Sequence, residues 1–143
     1  MKMQPSQTKY RKQFKGRVRT NVTKRGNLLA FGSYGLKSLD GFRVKPNQLE
    51  SARKAVARYM KRDGKVWIRV FTDIPVSKKP AEVRMGKGKG SVEYYCFRVS
   101  PGRILMEVEG VPAEVAKEAL RLASAKLPGR MKIVVREDMS TAI

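Results

Sequence analysis

The stretch SVEYYCFRVSPGRILMEVEG, residues 91–110, contains two strand-like runs separated by a Pro-Gly pair at 101–102. A proline followed by glycine is typical of a turn. The two runs are therefore predicted to be neighbours in an antiparallel hairpin. In the second run Ile104, Met106 and Val108 recur at every other position, so their side chains are predicted to point to the same side of a sheet.

Further strand patterns lie on both sides of this stretch. The run LLAFGSYGLKSL, residues 28–39, is apolar and broken by glycines, and it predicts two short strands joined by a turn. KVWIRVF (65–71) and MKIVVRE (131–137) predict two more strands. Pro75 and Pro80 predict a connecting loop between residue 71 and the following strand.

Two helices are predicted, one from Pro46 to about Arg62 and one from Pro112 to about Leu127. The apolar residues of the first helix recur at helical spacing on one stripe, which is predicted to face the core and consists of Leu49, Ala52, Val56, Tyr59 and Met60. The order of elements indicates an α+β fold with a mixed, largely antiparallel sheet, two helices packed on one face and a basic, extended N-terminal arm. The predicted divisions are an arm at 1–26, an α+β domain at 27–137 and a C-terminal tail at 138–143.

The charge of the chain is its most unusual property. The 143 residues include 32 Lys and Arg but only 12 Asp and Glu, which gives a net charge of +20. Residues 1–90 hold 24 of the basic and 5 of the acidic side chains. Such an excess indicates a polyanionic partner, and nucleic acid is the usual one. An anionic membrane surface is the competing partner, although no apolar run approaches the roughly 18 residues of a membrane-spanning helix.

The sequence gives no indication of catalysis or metal binding. It contains no histidine, and Cys96 is its single cysteine, so a Cys-based zinc site and a Cys–His nucleophile are both excluded. Glu107 and Glu109 are interpreted as solvated residues or salt-bridge partners. We predict no enzymatic activity, no metal and no cofactor. The alternatives are an RNA-acting nuclease or modification enzyme that works without histidine, and a nucleoid-like DNA-binding protein.

Three basic segments are the candidate RNA contacts. Residues 1–26 contain no acidic residue, so we expect that this arm cannot bury itself, is disordered alone and becomes ordered on its partner. Tyr10 and Phe14 lie among its cations, where they can stack on bases. The first helix carries a basic face, and more cations lie in the strands and loop that follow. The predicted RNA-binding residues are Lys9, Arg11, Lys12, Lys15, Arg17, Arg19, Lys24, Arg25, Arg53, Lys54, Arg58, Lys61, Arg62, Arg69, Lys78 and Lys79.

The third segment is the glycine-lysine run RMGKGKG, which consists of Arg84, Met85, Gly86, Lys87, Gly88, Lys89 and Gly90. A nucleotide-binding P-loop would require a second glycine five residues after the first, but position 91 is serine. A strand rather than a helix is predicted to follow the run, so no helix N-terminus faces a phosphate. The run is therefore predicted to be a flexible loop that brings cations and backbone N–H groups close to folded RNA.

The block GKVWIRVFTDIPVSKKPAEVRMGKGKGSVEYY, residues 64–95, closely resembles the signature region of the large-subunit ribosomal protein L-sixteen family, bacterial and organellar type. The basic opening MQPSQTKYRKQFKGR and the later blocks SPGRILMEVEGV and ALRLASAKLP resemble the same family. The resemblance extends from Met3 to about Arg136. Small departures, such as Lys45 where the family often has a threonine before the first helix, leave the lineage open.

This resemblance implies a non-catalytic component of the large ribosomal subunit, located in the cytoplasm or in an organelle. The implied partners are 23S-type ribosomal RNA near the central protuberance, the 5S RNA region, neighbouring large-subunit proteins and tRNA in the aminoacyl site. The loop at 84–90 would face the tRNA and the peptidyl transferase region. The protein would support subunit maturation and tRNA positioning, while the RNA performs peptide transfer.

Overall fold

A computed structural model of the protein describes residues 3–136. The predicted tail at 138–143 lies outside the described residues. Within residues 3–136 there are seven strands and two helices. In chain order they are β1 (Tyr34–Ser38), β2 (Phe42–Val44), α1 (Pro46–Tyr59), β3 (Lys65–Ile68), β4 (Ile74–Lys78), β5 (Ser91–Val99), β6 (Ile104–Glu109), α2 (Ala113–Ser124) and β7 (Met131–Val135).

The strands are divided between two sheets. One sheet has the order β3-β6-β1-β7 and the other the order β2-β5-β4. Within each sheet, all neighbouring strands are antiparallel. The α+β class and the antiparallel character predicted from the sequence are confirmed. The single sheet of the prediction is instead a four-stranded and a three-stranded sheet.

The predicted hairpin across the Pro-Gly turn is wrong. β6 pairs with β1, and β5 pairs with β2, so the two runs of residues 91–110 lie in different sheets. The chain segments 34–44 and 97–108 run antiparallel along their whole length, and both pass from one sheet to the other near residues 39–41 and 100–103. Gly102, with φ of +84°, donates its N–H to the carbonyl of Ser38 at this corner. The turn therefore bends a two-stranded ribbon rather than closing a hairpin.

Three other predictions differ from the structure. Residues 28–33 are not a strand, because three of their backbone N–H groups bind a side-chain carboxylate instead of a neighbouring strand. Ile74–Lys78, predicted as loop, is strand β4. Pro75 is tolerated there because β4 is an edge strand and does not need every backbone N–H for pairing. Helix α1 ends at Tyr59 rather than near Arg62.

The main core lies between the helices and the four-stranded sheet. Of the predicted stripe, Leu49, Ala52, Val56 and Met60 are buried, but Tyr59 at the end of α1 is exposed. The buried residues share one cluster with the buried face of α2 and with Met106 and Val108 of β6. The three-stranded sheet has its own small cluster around Cys96. The three-stranded sheet contacts the arm at Gly16 through Arg43 of β2 and Arg98 of β5, and its β4–β5 hairpin carries the glycine-lysine loop. Neither helix within residues 3–136 is long and apolar enough to cross a lipid bilayer.

Candidate nucleic-acid interface

The N-terminal arm lies along the body of the protein without forming a helix or strand between residues 3 and 26. It is held mainly through its backbone. The guanidinium of Arg43 donates to the carbonyl of Gly16 at 2.6 Å, and the N–H of Thr23 donates to the carbonyl of Pro101 at 2.8 Å. Because the body binds backbone N–H and carbonyl groups of the arm, the side chains of the arm remain available to a partner.

The start of the arm is anchored more firmly than its composition predicted. Met3 is 3% exposed and belongs to the main core cluster, and its carbonyl accepts a hydrogen bond from the buried hydroxyl of Thr72. The expectation that the segment 1–26 cannot bury any of itself is therefore wrong at Met3, where an apolar side chain finds space in the core. Ordering of the remaining arm on a partner stays a prediction.

All the predicted cations of the arm are exposed. Within residues 3–136 none of them forms a salt bridge. This set consists of Lys9, Arg11, Lys12, Lys15, Arg17, Arg19, Lys24 and Arg25. Two aromatic side chains among them are also exposed, Tyr10 at 71% and Phe14 at 92%. Tyr10 and Phe14 line the same cavity, and exposed apolar groups that lie together, unlike single ones, are typical of an interaction site.

The glycine-lysine loop is the tip of the hairpin formed by β4 and β5. The last paired residues are Lys78 and Ser91, and residues 81–89 between them are exposed. The loop turns through three successive residues with positive φ: Gly86 at +99°, Lys87 at +54° and Gly88 at +95°. A Cβ atom built on either glycine would meet no atom within 4 Å. The backbone here is therefore open to close approach by a ligand, and the contact of the loop with RNA stays a prediction.

The arm and the loop meet through two crossed hydrogen bonds. The ammonium of Lys12 donates to the carbonyl of Lys89 at 2.9 Å, and the ammonium of Lys89 donates to the carbonyl of Gln13 at 2.5 Å. The Lys89 ammonium also lies 5.7 Å from the centre of the Phe14 ring. Two segments separated by more than 70 residues in the sequence thus form one cationic surface, which we call the arm–loop surface (residues 5–19 and 84–90).

The basic face of α1 forms a second cationic surface. Side chains at the C-terminal end of the helix surround a shallow cavity of about 570 Å³, lined by Arg53, Lys54, Ala57, Arg58, Lys61 and Arg62. Arg53 is neutralised in part because it binds Glu50 at 2.7 Å, and this contact lowers the pKa of the Glu50 carboxyl. The remaining four cations are exposed and have no carboxylate partner among the described residues. The structure therefore brings these predicted residues together.

Three predicted RNA-binding residues, Arg69, Lys78 and Lys79, form intramolecular contacts outside the arm and the basic face of α1. Arg69 pairs with the buried carboxylate of Glu107, and only a fifth of its side chain is exposed. Lys78 lies 3.8 Å from the carboxylate of Glu93, and the ammonium of Lys79 donates to the carbonyl of Gly86 within the loop. Their predicted contact with RNA stays a prediction, and Arg69 also has a clear intramolecular function.

Comparison with known proteins identifies the family of the chain. The family model described as ribosomal protein L16p/L10e matches residues 5–134. The chain belongs to this family. A protein of Caulobacter vibrioides (strain NA1000 / CB15N) named large ribosomal subunit protein uL16 is 56% identical over 140 residues, which cover 98% of this chain and 97% of that protein. A protein of the same name from Rickettsia peacockii (strain Rustic) is 61% identical over 134 residues, covering 94% and 98%.

These relatives confirm the family resemblance drawn from residues 64–95 and the flanking blocks. A third protein named large ribosomal subunit protein uL16, from Bartonella henselae, is 56% identical over 134 residues. The names of these L16p/L10e proteins describe subunit components rather than enzymes, which agrees with the prediction that the chain is not an enzyme. The matched residues include both the arm and the glycine-lysine loop.

Glu107, predicted to be solvated or salt-bridged, is paired with Arg69 and is also a buried carboxylate that positions residues 30–32, which follow the arm. Glu107 has no exposed surface and accepts hydrogen bonds from the N–H groups of Ala30 (3.2 Å), Phe31 (2.6 Å) and Gly32 (2.7 Å), and from Arg69. Burial alone would raise the pKa of Glu107, but these donors outweigh it and lower the pKa below its usual range. The charged carboxylate thus fixes residues 30–32 against β6.

The arginines that hold the arm were missed. Arg43 and Arg98 occupy facing positions on β2 and β5, and both lie against Gly16. Arg103 donates to the carbonyl of Arg25 at 2.9 Å, and its burial lowers its pKa. The positions of these arginines in the sequence do not indicate that they bind the arm. Their partners are backbone carbonyls in a segment that has no periodic pattern.

Proposed function

We propose that the chain is a structural constituent of the large ribosomal subunit, located with that subunit in the cytoplasm. In this proposal it binds 23S-type ribosomal RNA near the central protuberance, close to the 5S RNA region and neighbouring subunit proteins. The glycine-lysine loop faces tRNA in the aminoacyl site. The chain supports maturation of the subunit and positioning of tRNA, and it performs no chemistry itself.

Family membership supports the coarse part of this proposal, because the relatives are named as proteins of the large ribosomal subunit. The charge distribution supports RNA as the partner. Cations that are exposed and lack carboxylate partners repel one another, and phosphates of a folded RNA would remove that repulsion. RNA of this kind is recognised through its shape and backbone, with stacking on unpaired bases, rather than through a base code.

The observation that carries the proposal is the contact between Lys12 and Lys89. Their ammonium groups bind backbone carbonyls rather than carboxylates, so the contact joins the arm to the loop without neutralising either charge. The arm–loop surface can therefore place its charge against one RNA surface while the loop extends beyond it. A solvated face would not require two cationic segments to be joined in this way.

Co-sedimentation tests the proposal directly. Epitope-tagged full-length protein is expressed in cells, and large subunits are isolated and washed at increasing salt. We expect one copy of the protein per large subunit, retained at moderate salt. Absence from the subunits, or binding to bulk DNA or to small subunits in preference, would overturn the proposal.

A further inference from the structure

A cleft separates the first part of the arm from the glycine-lysine loop. Its volume is about 600 Å³, which lies in the range of pockets that hold small organic groups. One side is built from the arm, and the other from Asp73 and from Lys89 of the loop. The lining consists of Pro5, Gln7, Thr8, Lys9, Tyr10, Lys12, Gln13, Phe14, Asp73 and Lys89.

The chemistry of the lining is specific. Tyr10 and Phe14 offer exposed rings, and base–aromatic stacking is the usual use of such rings beside cations. Three lysines supply charge for a phosphate. Asp73 is the one acid of the lining, it is exposed, and it forms no salt bridge within residues 3–136. A carboxylate there would repel a phosphate, so its oxygens are suited to accept hydrogen bonds from the edge of a base.

We infer that this cleft holds one unpaired guanine nucleotide of the large-subunit RNA, an inference that rests on the proposed function. The base stacks on Phe14 or Tyr10, and its phosphate lies among Lys9, Lys12 and Lys89. Guanine presents two adjacent donors, N1–H and the N2 amino group, which match the two oxygens of Asp73. Uracil presents a single N–H on the same edge.

Ribosomal RNA is favoured over a transient RNA for a physical reason. Phe14 is 92% exposed, and an uncovered ring of this size loses the stabilisation that burial gives. A permanently bound RNA covers the ring throughout the working life of the protein. A ligand that leaves in every cycle would expose it again each time.

Short oligonucleotides test the preference for guanine. Fluorescence anisotropy compares binding of labelled UUGUU and UUUUU ribonucleotides to the full chain at low salt. We expect the guanine pentamer to bind about tenfold more tightly, since a bidentate contact of this kind commonly discriminates by that factor or more. Equal affinities would overturn the inference.

Two variants assign the preference to the cleft. Phe14→Ala is expected to weaken binding of the guanine pentamer about 5- to 150-fold. Asp73→Asn is expected to abolish the preference for guanine while strengthening binding of UUUUU, because it removes a negative charge. Phe31→Ala and Asp63→Asn change matching exposed side chains outside the cleft and should leave the preference unchanged. Loss of the preference in either control, or its retention in Asp73→Asn, would overturn the inference.

A cross-link separates this inference from the proposed function. Benzoylphenylalanine replaces Phe14, and large subunits without tRNA are irradiated. A cross-link to a guanine of the large-subunit RNA is expected. If the protein is incorporated but no RNA cross-link forms, the inference fails and the proposed function stands. If the protein is not incorporated at all, both fail.

Discussion

The side-chain ammonium of Lys12 lies 2.9 Å from the backbone carbonyl oxygen of Lys89. This contact joins a segment without regular structure to the tip of a hairpin in the small sheet. Because the acceptor is a carbonyl, both lysines keep their full charge. The fold therefore concentrates positive charge on one surface instead of dispersing it over the molecule.

Neutralising the arm should weaken RNA binding in a salt-dependent manner. Each phosphate contact contributes about 0.7 to 0.9 to the slope of log affinity against log salt, so four lost contacts reduce the slope by about 3. The variant converts four exposed arm cations to glutamine: Lys9, Arg11, Lys12 and Lys15. It keeps the buried Met3 in place, which a deletion of residues 1–26 would remove. Binding to a large-subunit RNA fragment is measured between about 50 and 200 mM salt.

A control for the arm variant removes the same number of charges from exposed positions on or near α2 and β7. It changes to glutamine Lys117, Lys126, Lys132 and Arg136. We expect the control to reduce the slope by less than 1. An arm variant with the slope of the unchanged protein would show that the arm does not contact phosphate.

Neutralising the loop should affect tRNA rather than folding. Arg84, Lys87 and Lys89 are all exposed, and replacing them with alanine removes no core contact. We expect the melting temperature to change by no more than about 2 °C, because exposed substitutions usually cost less than about 0.5 kcal/mol. Ribosomes that carry the variant should bind aminoacyl-tRNA more weakly. Normal tRNA accommodation by such ribosomes would refute the proposed function of the loop.

Removing the charge of Glu107 should destabilise the protein. Glu107→Gln keeps the shape of the side chain but leaves Arg69 beside a neutral group and weakens the acceptor for residues 30–32. Breaking a buried pair in this way costs about 3 kcal/mol in the free energy of unfolding. Urea denaturation measures it. Glu109→Gln is the control, since Glu109 is exposed two residues further along β6 and should change stability by less than about 0.5 kcal/mol.

Asp40 should titrate well below its ordinary range. Arg130 binds its carboxylate through the side chain at 2.9 and 3.1 Å and through the backbone N–H at 3.0 Å, which lowers the pKa of Asp40 to about 2. The folded pKa is below the unfolded value of about 3.9. The contribution of Asp40 to stability is therefore complete above about pH 4 and is lost as the pH falls towards 2.

NMR titration of the Asp40 carboxyl carbon measures this pKa. In Arg130→Met the backbone N–H donor remains, so the pKa should rise part of the way towards about 3.9. Arg121→Met removes an arginine that binds Glu118 instead, and it should leave the pKa of Asp40 at about 2. An equal rise in both variants would show that the general positive charge, rather than the Arg130 contact, lowers the pKa.

Local patterns predicted the helices well and the pairing of strands less well. The stripe of Leu49, Ala52 and Val56 identified the buried face of α1 because helical spacing is a local property. The Pro-Gly pair at 101–102 predicted a turn correctly but not what the turn joins. Strand pairing depends on partners distant in the sequence, and here β1 and β2 occupy the edges that a hairpin would have used.

In the candidate site, too, local features were predictable and contacts between distant segments were not. The composition of the arm and loop was sufficient to predict exposed cations, and the structure places them at the surface. The crossing of Lys12 and Lys89 was not predictable, because nothing in either segment specifies the other. For Glu107 the salt-bridge alternative was correct, since it pairs with Arg69. Its burial and the three N–H groups that it binds are revealed only by the fold, because an acidic residue in an alternating strand is usually solvated.

A structure of the assembled large subunit that contains this protein tests the central claim most directly. The quantity to measure is the distance from the ammonium nitrogens of Lys12 and Lys89 to the nearest phosphate oxygen of the RNA. We expect at least one of them within hydrogen-bonding distance, about 2.7–2.9 Å, and the arm lying against RNA along its length. An arm whose lysines and arginines all face bulk solvent would contradict the account.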